Sequence, residues 1–145
     1  DAFGAIHNHP NNTPISAGDI YTAITINSNN IDFTTTFVST DGEVYAAVVT
    51  DLEAAKAFAT NYPADITPQY NPEFPDYIYN QLLDLRLKMG ESISGRTMAI
   101  AFILNKFNAG ITFLKQDSSG KFNPLQIEET TRSNGDIAYI LKPCN

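Results

Sequence analysis

Positive charge is scarce in this sequence: nine Lys and Arg stand against 16 Asp and Glu in 145 residues, for a formal net charge of −7. A nucleic-acid-binding surface needs clustered Lys and Arg to neutralise phosphates, so the balance argues against that partner. Cysteine is almost absent. The lone Cys144 excludes an intrachain disulfide and a Cys-rich zinc site, and is compatible with cytoplasm or export alike. It has no histidine or other base beside it in the sequence and is read as inert. No uninterrupted apolar run approaches the ~20 residues of a membrane span, so a soluble domain without a membrane partner is expected. The first residue is Asp1 rather than Met, and no signal peptide is visible. That pattern reads as a processed product or the later portion of a longer chain.

Hydrophobic residues make up 43% and charged residues 17%, too apolar and too weakly charged for intrinsic disorder. The length suits one domain burying roughly two thirds of its unfolded surface. Ala2–Ile6 is a short continuous apolar run and predicts a strand buried on both faces. It leads into His7-Asn8-His9-Pro10 and a loop through Asn11-Asn12. Ser16 followed by Asp19 is a capping pattern for a helix to about Asn27, with Ile20, Ala23, Ile24 and Asn27 on one face. Two β-rich stretches, Phe33–Ser39 and Glu43–Thr50, flank Asp41-Gly42 and predict a hairpin.

Asp51 caps a short helix over Leu52–Asn61, with Leu52, Ala55 and Ala59 aligned. The Tyr62–Pro75 segment holds four prolines and reads as an irregular surface connection. Ile78, Leu82, Leu85 and Met89 predict a helix from about Pro75, closed by Gly90. Ser94–Asn108 is apolar nearly all round, as suits a helix at the centre of a fold. Ile111–Lys115 and Phe122–Glu128 predict a second hairpin, and Ile137–Leu141 a last strand. The expected architecture is α/β (α+β): one domain, with a central mixed sheet and flanking helices.

The chain has only two histidines, His7 and His9. On a strand, residues i and i+2 point to the same side, so both imidazoles converge. Asp19, at the start of the following helix, comes within reach if the loop folds back. Two imidazoles and a carboxylate suit zinc with a fourth position open to water, and such a metal lowers the water's pKa toward ~7.

Ile6-His7-Asn8-His9-Pro10, followed by Ser16 and Asp19, resembles the His-x-His…Ser-x-x-Asp signature of the JAMM/MPN+ (JAB) zinc metallopeptidases. The resemblance implies a JAB/cytidine-deaminase-like core over residues 1–62, with a divergent part over 63–145. It implies that His7, His9 and Asp19 ligate Zn2+ and that Ser16 helps stabilise the oxyanion of an attacked amide. It further implies a hydrolase, a metalloprotease or isopeptidase, whose partner is a protein or peptide substrate. The family's general base is a glutamate on a strand upstream of His-x-His. None of Glu43, Glu53, Glu73, Glu91, Glu128 and Glu129 has that position, so the resemblance puts the base before Asp1.

Two other readings stay beside it: a catalytically inactive interaction module on the same fold, and a processing or effector domain of a larger toxin-like protein. His7-Asn8-His9 also spells the name of a nuclease motif, but the spacing and basic surroundings of that class are missing. No Gly-x-Ser-x-Gly elbow supports a serine hydrolase. Tyr62, Tyr70, Tyr77 and Tyr79 are read as core packing before a peptide groove, and Glu43 as an exposed hairpin residue.

Overall fold

The computed structural model describes residues 3–10 and 13–142. The readings made for Ala2, for Asn11-Asn12 and for Cys144 lie outside the described residues. In chain order the elements are β1 (Gly4–Asn8), α1 (Ala17–Asn29), β2 (Thr35–Thr40), β3 (Glu43–Val49) and α2 (Leu52–Asn61). Then follow β4 (Asp65–Ile66), β5 (Pro72–Glu73), α3 (Asp76–Met89) and α4 (Ile93–Lys106). The chain continues through β6 (Ile111–Gln116), β7 (Phe122–Pro124), β8 (Ile127–Thr131) and β9 (Ile137–Leu141). The α/β class expected from the sequence is the one observed. No helix among the described residues is long and apolar enough to cross a membrane.

The main sheet has the order β1-β2-β3-β6-β7. β1 runs parallel to β2, with His7 opposite Val38, and the remaining neighbours are antiparallel. A parallel pair needs a crossover, and α1 supplies it. Such a β-α-β unit sets the carboxyl end of β1 against the amino end of α1. The sequence motif is thereby split across a strand end and a helix start that meet in space.

The core lies between the helices and one face of the sheet. Val38, Tyr45, Ala47, Val49 and Phe113 come from the strands, Ile20 and Ile24 from α1, and Ile100, Ile103 and Leu104 from α4. Every residue assigned to the inner face of α1 (Ile20, Ala23, Ile24, Asn27) is buried. Burying each large aliphatic side chain is worth about 1.5–3 kcal/mol against leaving it in water. α4 is buried along most of its length, as an all-round apolar helix must be.

Four expectations need correction. The first strand begins at Gly4 among the described residues and extends to Asn8, and it is not buried on both faces: Phe3 is 71% and Ile6 74% exposed. A continuous apolar run signals a strand without saying where it sits, and β1 is an edge, paired with β2 alone. Second, Phe122–Glu128 is not one strand. Pro124, which has no N–H to donate, ends β7. β8 then pairs with β9 as a separate two-stranded sheet rather than extending the central one. Third, the tyrosines divide. Tyr62 and Tyr79 pack against the core, whereas Tyr70 and Tyr77 are 87% and 66% exposed. Fourth, Glu43 is more than an exposed hairpin residue, since it accepts hydrogen bonds from Tyr45 and Lys115. Those two donors hold its carboxyl below the ordinary carboxylate value.

Candidate metal centre

β1 presents His7 on the helix-covered side of the sheet, because its register partner Val38 points into the core. The pairing continues one residue past the strand, where the His9 N–H donates to the Ser39 carbonyl at 2.9 Å. That bond keeps the extended geometry and so places His9 on the same side as His7. The two rings lie 5.7 Å apart, edge to face.

The third group comes from the start of α1. Ser16 is the N-cap, and its side chain accepts from the Asp19 N–H at 3.2 Å. In return Asp19 Oδ2 accepts from the Ser16 N–H and from the Ser16 hydroxyl, both at 2.7 Å. This reciprocal capping box satisfies helix-end donors, and a carboxylate in the first turn is also favoured by the helix dipole. Its further consequence is positional: the side chain of Asp19 is fixed, and only Oδ2 is engaged by the cap. The Ser16 hydroxyl proton is directed at Asp19 in this arrangement.

Asp19 Oδ1 lies 3.7 Å from His7 Nδ1, and Asp19 Oδ2 lies 3.3 Å from His9 Nε2. One donor atom from each of the three residues falls within 4.8 Å of the others. A tetrahedral zinc with bonds of about 2.0–2.1 Å holds its ligand atoms about 3.3 Å apart, so the cluster has the size a metal ion requires. His7, His9 and Asp19 could therefore hold a metal ion.

The hydrogen bonding supports the fit. His9 Nδ1 lies 2.9 Å from the Pro14 carbonyl, which only accepts, so Nδ1 carries the proton. In the neutral ring Nε2 then keeps its lone pair, aimed at the Asp19 carboxylate. A proton on Nε2 or a metal ion between the two satisfies both groups at this distance. A backbone carbonyl fixing the far nitrogen is also how metal-binding histidines are commonly oriented. His7, with 43% of its side chain exposed against 15% for His9 and 12% for Asp19, marks the solvent side of the cluster.

His9 and Ser16 also form part of the wall of a cavity of about 310 Å³, completed by Glu73, Phe74, Tyr79, Arg86 and Arg96 among others. Reading the sequence drew none of these five into the site. Glu73 sits in β5, inside the proline-rich connection, whose Pro72 packs on Gly18 in the first turn of α1. One of its oxygens accepts from the Phe74 N–H at 2.8 Å. Its charge, with that of Asp65 and with burial as the main cause, pushes the Tyr21 phenol above its ordinary pKa. The available signal was compositional: two of the three arginines in the chain, Arg86 and Arg96, reach this one cavity.

The double role of Ser16 gives a sharp expectation. Ser16→Ala removes the side-chain cap, at about 1 kcal/mol of stability, and also removes one of the two hydrogen bonds that orient the Asp19 carboxylate, the one from the Ser16 N–H remaining. Loss of such a supporting contact weakens metal affinity about 10–100-fold. Thermal melting and competitive zinc titration read the two effects separately. A variant with the stability loss but unchanged zinc affinity would show Ser16 to be a cap alone. Compared with protein-family models, with curated proteins and with solved structures, the chain matches none.

Proposed function

We propose that the chain is a zinc-dependent peptidase or isopeptidase-like hydrolase of the JAMM type. The observation that carries this reading is the convergence of His7, His9 and Asp19 donor atoms within 4.8 Å, with His9 also lining a cavity. Two imidazoles and one carboxylate suit zinc, with a position left for solvent, as they also suit non-haem iron(II), and the resemblance to the JAMM signature favours zinc. Bound there, it supplies Lewis acidity toward an amide carbonyl and a water acidic enough to attack at neutral pH.

The chain's own residues do the rest. The Pro14 carbonyl holds His9 in the ligating tautomer, and the capping box holds Asp19. Ser16, on the cavity wall, turns its hydroxyl from Asp19 toward the oxygen that gains charge as the amide is attacked. Proton transfer falls, on this reading, to a glutamate preceding the His-x-His strand.

The test is hydrolysis of peptide and isopeptide amides by the zinc-supplemented protein in the form that carries the glutamate upstream of the His-x-His strand. Activity abolished by a chelator, restored by zinc and missing from His9→Ala supports the reading. Activity indifferent to chelator and to His9→Ala rejects it. A second reading, an interaction module on the same fold, is favoured by the exposed Ile6 on β1 and the exposed Phe3 just before it. It predicts zinc binding without hydrolysis.

A further inference from the structure

We infer that the cavity beside the metal centre is a binding site for a carboxylate on a peptide, with Arg96 as its anchor. This rests on the proposed hydrolase for its biological sense, but not for its chemistry.

The protein spends positive charge sparingly, with three arginines in the whole chain. Two of them line the one cavity that also contains His9 and Ser16. Their states differ. Arg86 is already partnered, its terminal nitrogen 2.6 Å from the Glu91 carboxylate, although its buried Nε has no hydrogen-bond partner. Arg96 is half-buried on the cavity wall and makes no ion pair or side-chain hydrogen bond among the described residues. A planar guanidinium held partly out of water with its donors unspent is the side chain best suited to take a carboxylate bidentately.

Its place in the helix argues the same way. Arg96 lies at the fourth position of α4, next to the amino end, where no acidic residue occupies the first turn. The helix dipole disfavours a cation there, so Arg96 does not serve the helix. The guanidinium, on the cavity wall, is instead left to act on an anion.

Glu73 sets the polarity of the site. It is an acidic residue on the same wall and does not pair with Arg96. The cavity thus carries a cation and a separate anion, which suits a peptide segment with one carboxylate and with N–H groups to offer Glu73. A carboxylate comes either from a free C-terminus or from an Asp or Glu side chain. Either would fix the register of a substrate relative to His7, His9 and Asp19.

The experiment uses three short probes: acetyl-triglycine with a free C-terminus, its C-terminal amide, and an amidated peptide with one central glutamate. Calorimetric titration is run on the zinc-supplemented chain and on the chelator-treated chain. The expected result is that a carboxylate probe binds about tenfold tighter than the neutral amide, with and without zinc. R96Q removes that preference, while E73Q, which lifts a repulsion, enlarges it. Opposite effects of two substitutions on one wall are not produced by misfolding. Whichever carboxylate probe binds tighter identifies the source. The proposal is overturned if no preference exists, if it survives R96Q, or if it disappears with the metal, since the carboxylate would then be sitting on zinc. A chain that takes up no zinc yet shows an Arg96-dependent preference refutes the metal centre and leaves the carboxylate site standing.

Discussion

Excess zinc is expected to raise the melting temperature of the wild-type chain by about 10 °C and to leave that of His7→Ala unchanged. A ligand that binds only the folded state stabilises it by about 4 kcal/mol at a thousand times its dissociation constant. For a domain of this size that corresponds to a shift of about 10 °C. His7 is the cleanest of the three positions to alter. It is the most exposed, and its one recorded polar contact is the Asp19 carboxylate. His9→Ala also deletes the bond to the Pro14 carbonyl, and Asp19→Ala also opens the capping box, so both lower stability before any metal is added. His7→Ala should melt close to wild type in chelator and differ from it only in zinc. Equal zinc shifts in the two proteins would place the ion elsewhere.

The second large effect concerns the frame rather than the site. Gly110→Ala is expected to cost about 3 kcal/mol, a large part of the stability of an ordinary domain. Gly110 has φ +65, where an L side chain is strained. An added Cβ would also stand 2.1 Å from the Asp51 carbonyl oxygen and 2.7 Å from the Ala55 nitrogen. Both are backbone atoms of the α2 amino end and cannot rotate away. Gly110 further accepts from the Thr50 and Asp51 N–H groups at 2.9 and 3.1 Å, so it locks the end of β3 and the cap of α2 to the start of β6. Gly135→Ala is the control. Gly135 also has positive φ, at +88, but nothing lies within 4 Å of its added Cβ, so only the backbone penalty of about 1 kcal/mol applies. Denaturant titration of the two variants separates strain from collision. Equal losses would contradict the close approach at Gly110.

Local rules carried the sequence reading where chemistry is local. The alternation of a strand put His7 and His9 on one side, and the capping pattern put Asp19 at the start of α1, both observed. The inner face of α1 follows from a 3.6-residue period, whatever packs against it. What failed was decided by neighbours in space. The run ending at Ile6 has the composition of an interior strand, but its place at the sheet edge follows from pairing order, which composition does not encode. Pro124 inside an otherwise strand-like stretch was a visible sign of the break between β7 and β8. The cavity was illegible for the same reason as the edge. Glu73, Arg86 and Arg96 belong to β5, α3 and α4, elements read for their apolar faces, and only the fold brings their polar atoms to the His9 side of α1.

The most direct test is zinc content and zinc K-edge absorption of the purified chain after equilibration with the metal and gel filtration. The account predicts one ion per chain, with two imidazoles and oxygen donors around it. A protein that emerges free of zinc, or that holds it without the imidazole pair, would contradict it.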